Sequence, residues 1–145
     1  MLRYCKKSKM SMRVSVLFIG LLLVYPALLA AETERKQYNA QFTPVQNSCA
    51  DKSLTLSRQT VLLEQEKDGK LTVEIQGVPP MEGKVRKGGK FHAKAKRAPT
   101  AVKGQEGKFR IAGSRSGDSD TVHFLLIAEF FQDGKPYCTQ SWNGE

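Results

Sequence analysis

Two pairs of residues and one dense run of cations carry most of the chemistry open to this 145-residue chain. The first pair is Cys49 and Cys138, which can oxidise to a disulfide. The second is His92 and His123, which can titrate near neutral pH or ligate a metal. Neither histidine stands in a zinc-binding spacing such as H-E-x-x-H, and a disulfide would leave no thiolate ligand beside them. Both are read as solvated or strand-end histidines. Gly117-Asp118-Ser119-Asp120-Thr121 places two carboxylates one residue apart in a polar stretch. Calcium takes six or more oxygens, so turn chemistry accounts for that stretch better than an ion. No serine lies in a G-x-S-x-G elbow and no glycine-rich loop leads into a helix, so hydrolase and nucleotide chemistry lack support. The chain is read as non-enzymatic and free of cofactors.

The cation run is the sharpest signal. From Lys84 to Arg110 ten Lys and Arg residues stand against one acid, Glu106. Lys84, Arg86, Lys94, Lys96, Lys108 and Arg110 fall on one phase of successive strand-like segments, which would set them on a common outward face. Such a face attracts polyanions by screened Coulomb forces. The candidate partners are anionic lipid head groups, lipopolysaccharide, acidic polysaccharide or cell-wall polymer, glycosaminoglycans and extracellular DNA. Only Phe91 and Phe109 interleave with the cations, and both take the inward phase, so a single-strand nucleic-acid platform is not indicated. The plainer alternative is a solvated face that keeps strands soluble and discourages edge pairing.

The elements that must position these groups begin after an N-terminal segment of another kind. Residues 1–13 hold Arg3, Lys6, Lys7, Lys9 and Arg13 and no acid. The apolar run from Val14 to Tyr25 and the small residues Ala27, Ala30 and Ala31 follow. That order describes a secretory signal peptide over residues 1–31, cut after Ala30 or Ala31, with Met10 or Met12 as alternative starts. The 12-residue run is short of the ~20 a spanning helix needs, so no integral membrane protein is expected after cleavage. Cys5 leaves with the segment, and so do five of the 23 basic residues. The remainder carries 18 basic and 14 acidic residues, a net charge of +4 where the whole chain has +9. Two thiols left in an exported chain imply one disulfide, Cys49–Cys138, in a periplasmic or extracellular setting, with a Gram-negative bacterium as the expected source.

Residues 32–37 are charged and patternless and read as a flexible tail before a single domain at 38–145. Tyr38 to Gln46 reads as a first strand with Pro44 at an irregular point. Leu54 and Leu56 alternate, but the phase slips before Val61 and Leu63, which requires a bulge or break near Arg58–Thr60; a helix over Ser57–Lys67 is a weaker option. Leu71, Val73 and Ile75 alternate with Thr72 and Glu74 as a half-buried strand, which Gly77-Val78-Pro79-Pro80 is expected to end. Met81 and Val85, then Phe91, Ala93 and Ala95, then Phe109 and Ile111 form inward sets of later strands, with a looser loop at Pro99–Gln105 and a polar one at Ser114–Asp120. A turn ending in Gly-Lys is read before a strand four times, at Gly69, Gly89, Gly107 and Gly134.

The stretch Val122–Phe131 is apolar on both faces. Val122, Phe124, Leu126 and Phe130 lie on one face and Leu125, Ile127 and Phe131 on the other. The second face is expected to be covered by Val61–Leu63, Trp142 or the N-terminal segment, or else to meet a second copy or a protein partner. Asp133-Gly134 then turns the chain into a return strand with Cys138 and Trp142. The pattern as a whole predicts an all-β antiparallel meander of about 7–8 strands, either an up-and-down barrel, lipocalin-like in style, or a two-sheet sandwich. The barrel is favoured, because an immunoglobulin sandwich would place its Trp between the cysteines and Trp142 follows the second. A hollow barrel would add a small apolar ligand to the candidate functions.

Cys138-Thr139-Gln140-Ser141-Trp142-Asn143-Gly144 resembles the end of small exported bacterial β-proteins in which a Cys is followed shortly by Trp and Gly. That resemblance implies a disulfide-closed β-domain and transfers no functional residue. Small disulfide-bonded barrels that block lysozyme share this size and compartment, which makes an inhibitor acting through strand 122–131 the alternative function. A +4 domain would, however, be repelled by a basic target.

Overall fold

The computed structural model describes residues 33–50, 54–115 and 121–145. They form nine strands: β1 (Thr33–Asn47), β2 (Arg58–Glu66), β3 (Lys70–Ile75), β4 (Val78–Val85), β5 (Lys90–Lys94), β6 (Ala98–Pro99), β7 (Gln105–Arg115), β8 (Val122–Gln132) and β9 (Lys135–Gly144). A single 3₁₀ turn at Lys87–Gly89 joins β4 to β5. Neighbouring strands are antiparallel in the order β1 to β5, then β7, β8, β9 and back to β1. The two-residue β6 lies only along the start of β7. The result is an eight-stranded barrel, a size at which side chains alone can fill the interior. No helix among the described residues is long and apolar enough to cross a membrane.

Alternation decides what fills it. Leu71, Val73 and Ile75 from β3, Phe109 and Ile111 from β7, and Val122, Phe124, Leu126, Ala128 and Phe130 from β8 are all buried. Met81, Phe91 and Trp142 join them in one cluster. Trp142, Val61 and Leu63 therefore belong to the interior and do not cover the outer face of β8, contrary to expectation. The outer face is treated in two ways instead. The Arg97 guanidinium lies 3.9 Å from the Phe131 ring centroid, whereas Leu125 stays 36% exposed.

The hairpins turn where small or polar residues allow. Asp133 (φ 48°) and Gly134 (φ 82°) both take the left-handed region, as a two-residue hairpin turn requires. Lys70 N–H donates to Asp68 Oδ1 at 2.9 Å in the turn before β3. Gly69, Gly89 and Gly134 each precede a strand, but Gly107-Lys108 lies inside β7, opposite Phe130 and Glu129. The turn before β7 is at Gly104 (φ 75°).

Three further expectations are corrected and one, the bulge or break, is resolved. Thr33–Gln37, read as a flexible tail, is the first part of β1 and pairs with β2 from Thr33↔Glu66 to Gln37↔Leu62. The phase slip is a break, since Leu56 is buried from a connecting segment and β2 starts at Arg58. Ser57–Lys67 forms no helix, because Arg58–Glu66 is ladder-paired on both sides. Val78-Pro79-Pro80 opens β4 where it was expected only to end β3. Ile75 pairs with Val78 and Val73 with Met81, so the prolines sit in a register shift, where no ladder N–H is required of them. The signal segment and Gly117–Asp120 lie outside the described residues.

The barrel closes at the β1–β9 seam. Phe42 pairs with Gly144 and Asn47 with Gln140, with a bulge between Pro44 and Gln46. Beyond the ladder, Ser48 N–H donates to Thr139 O (3.0 Å) and Thr139 N–H to Ser48 Oγ (2.9 Å). The Cys49–Cys138 disulfide follows immediately, with Cα atoms 5.0 Å apart and a sequence separation of 89. Such a bond is consistent with a protein outside the cytoplasm. At the other end of the barrel an Arg115–Glu34 ion pair (3.7 Å) links β7 to β1.

Candidate functional site

Strand register brings part of the cation run together with the outer face of β8. Two adjacent rows cross the wall. One runs Glu82, Lys94, Arg110, Ile127 from β4 through β5 and β7 to β8. The other runs Lys70, Lys84, His92, Ala112, Leu125 from β3 to β8. Between them lies an open groove of about 640 Å³. Its β8 side is apolar, from Leu125 and Ile127, and its floor is low because Ala112 carries only a methyl group. Its β3–β5 side is lined by the cations Lys70, Lys84 and Lys94, with Glu82 among them and Arg110 between the two halves.

Electrostatics within the groove are unbalanced. Lys70 stands directly opposite Lys84, and Lys94 opposite Arg110. Like charges in directly opposed positions destabilise a sheet. Lys70 is partly compensated: its ammonium binds Glu66 Oε1 at 3.3 Å, and that hydrogen bond, with the carboxylate's charge, raises the Lys70 pKa and keeps it cationic. Arg110 is likewise held by Glu129 at 3.0 Å. Among the described residues, neither Lys84 nor Lys94 has a carboxylate within ion-pair distance.

The six cations singled out by sequence thus divide. Lys84, Lys94 and Arg110 meet at the groove. Arg86 is exposed beyond the end of β4, its backbone N–H donating to Lys90 O. Lys96 is exposed beyond the end of β5, after Ala95 has donated its N–H to Phe109 O. Lys108 faces Glu129 at 3.7 Å. The continuous positive face is therefore interrupted by Glu82, two residues ahead of the run on β4, and Glu129 on β8, both of which escaped a count confined to the run. Lys70 and Ala112 were likewise missed as groove residues. Only the pairing of β5 with β7, past β6, brings these residues onto one wall.

Comparison with family models, curated proteins and solved structures finds no match to this chain. What stands of the resemblance drawn from Cys138–Gly144 is the coarser statement, an all-strand barrel with one disulfide. Among the described residues no group of three or more His, Cys, Asp or Glu is placed to hold a metal. His92 lies in the groove wall, and His123 Nδ1 stands 4.0 Å from a Glu145 carboxylate oxygen.

The groove also depends on close backbone packing. A Cβ on Gly83 would fall 1.8 Å from His92 O and 2.5 Å from Ala93 Cα, both backbone atoms. Gly83→Val is expected to push β4 away from β5 and lower stability by about 1–3 kcal/mol, read as a shift in the urea midpoint.

Proposed function

We propose that this chain is an exported, non-enzymatic binding module that captures anionic ligands on the outer wall formed by β3, β4, β5, β7 and β8. Lipid head groups, lipopolysaccharide and acidic polysaccharide are the classes that present such groups outside a cytoplasm. The observation that carries the reading is the pair of opposed like charges, Lys70↔Lys84 and Lys94↔Arg110, on one wall. An anion seated between them removes a repulsion that the fold otherwise bears. The basic head and apolar run of residues 1–25 support export, and the disulfide agrees with the oxidising compartment this would reach. Packed aromatic side chains occupy the barrel interior, which moves the binding argument to the surface.

The test is retention on immobilised heparin and binding to vesicles containing anionic lipid, each across a salt series. Wild-type protein should bind at low salt and release as salt rises. In Lys84→Glu/Lys94→Gln three units of positive charge are lost. At about 1 kcal/mol per cation near an anionic surface, vesicle affinity should fall roughly 100-fold. Lys84→Glu alone should leave stability unchanged or raise it slightly, because it sets an acid opposite Lys70. Protein that flows through heparin and ignores anionic vesicles at low salt would refute the reading.

A further inference from the structure

The groove is polar along its length in one direction only. Going across the wall from β4 to β8, one row of outward side chains changes from Lys84 through His92 and Ala112 to Leu125, and the other from Glu82 and Lys94 through Arg110 to Ile127. Three strand spacings separate β4 from β8, about 14 Å. A free polyanion would find Lys84, Lys94 and Arg110 along the first three strands of that path and only Leu125 and Ile127 at its end. Leaving Leu125 and Ile127 on the outer face of a strand has no use for such a ligand, and their apolar surface stays in contact with water at a cost. The long side chains on the cationic side add to the apolar surface, since Lys and Arg lay their methylene stems along a groove while their charges stay at its rim.

From this gradient we infer that the ligand is an amphiphile: a single acyl or alkyl chain lying across Ala112 toward Leu125 and Ile127, with a phosphate or carboxylate head between Lys84 and Lys94. The inference rests on the anion-binding reading above and narrows it to lipid-type ligands. Charge complementarity fixes the orientation. Of the four groove cations, Lys84 and Lys94 have no ion-pair partner among the described residues, and they stand at the opposite end from the apolar pair, outnumbering the one carboxylate there, Glu82. Glu129, held by Lys108 and Arg110, would repel a head group placed at the β8 end. Ala112, in the middle of the path, is the one outward residue small enough to let a chain cross from β5 to β8.

The experiment uses the trimmed, oxidised protein and a series of hexyl, octyl and decyl phosphates below their micelle concentrations, with inorganic phosphate and heparin as controls, followed by calorimetry. An open groove covers one side of a chain, so each added methylene should tighten binding about twofold, half the exponent of a fully buried one. Decyl phosphate should therefore bind more than about tenfold tighter than hexyl phosphate. Leu125→Ser/Ile127→Ser should flatten that series to the hexyl level while heparin retention stays unchanged, and Ala112→Phe, which plugs the path, should do the same. Near-ultraviolet circular dichroism checks that each variant is folded. Decyl and inorganic phosphate binding equally, or a chain-length series that persists in both variants, would overturn the inference while heparin retention left the anion-binding reading in place. A monomer–dimer equilibrium by light scattering that Leu125→Ser/Ile127→Ser abolishes would also overturn it, because the apolar end would then belong to a second copy. Failure to bind phosphates, heparin and anionic vesicles alike would remove the anion-binding reading as well.

Discussion

Cys49→Ala/Cys138→Ala is expected to lose about 4–5 kcal/mol of stability relative to the oxidised protein, the chain-entropy value for a loop of this size. The closed loop spans a sequence separation of 89 and contains β2 through β8 and the start of β9. The bond therefore restricts nearly the entire unfolded domain. In the folded state it sits beside a seam that is already hydrogen-bonded, through Asn47↔Gln140 and the two Ser48–Thr139 contacts. The variant barrel should consequently still close, with its ladder intact and its unfolded state enlarged. Two readouts separate these effects. The melting temperature should fall by about 15–20 °C. The dependence of unfolding free energy on urea should also steepen, because an uncrosslinked unfolded chain exposes more surface. Dithiothreitol added to wild-type protein should reproduce both changes. A loss below about 1 kcal/mol would mean that strand pairing alone holds the seam.

The parts of this fold that could be read from sequence are those fixed by near neighbours. Leu71, Val73 and Ile75 alternate cleanly because β3 has one face in the core and one in water. Asp133-Gly134 announces its turn through the left-handed backbone it adopts. The disulfide followed from count, since Cys49 and Cys138 are the two cysteines that follow the expected leader. Tertiary pairing hid the rest. Thr33–Gln37 has few apolar residues because it lies at the barrel's end, and its order comes from backbone pairing to β2, which leaves no composition signal. Val78-Pro79-Pro80 looked like a terminator because proline removes a ladder donor, but a register shift gives it a place. Gly107-Lys108 matched the turn pattern of its three counterparts, yet the turn had already been made at Gly104.

The groove lay beyond local reading for a related reason. Lys84, Lys94 and Arg110 were legible as outward cations, and Leu125 and Ile127 as a second apolar face. That these face one another depends on β5 pairing with β7 while β6 is only a short flap. No property of the intervening residues 95–104 specifies that choice. It follows from closure of the whole barrel, in which Phe91, Ala93, Phe109 and Ile111 must all turn inward together. Glu82, just ahead of the run on β4, and Glu129 on β8 enter the same wall, so net charge counted along the run overstated the field at the surface.

Phe124→Ala is expected to cost about 3–5 kcal/mol, the upper range for a core truncation, because its ring completes the seam as well as the core. Phe124 pairs with Gly113 on one side and Gly144 on the other. A Cβ on Gly144 would lie 2.1 Å from Phe124 Cζ, so the ring occupies the space a side chain there would need. Gly144 in turn pairs with Phe42 of β1, whose ring meets Phe124 edge-on at 5.5 Å. One aromatic ring therefore covers a glycine of the last strand while touching the first, as in sheets where an aromatic residue compensates for a neighbouring glycine. Loss of the ring would open a cavity at the line where the barrel closes, where only backbone pairing would remain. The converse substitution, Gly144→Ala, should also destabilise, by about 1–3 kcal/mol, because the ring must move. Combined with Phe124→Leu, which withdraws the ring atoms that the new methyl would strike, it should cost less than the two single changes added together. Residues that share space commonly show coupling of about 0.5–3 kcal/mol. Urea titrations of the wild type, both single variants and the double variant measure that coupling directly. Additivity within about 0.5 kcal/mol would show that Phe124 and Gly144 do not compete for the same volume, and the seam would then rest on the disulfide and the ladder alone.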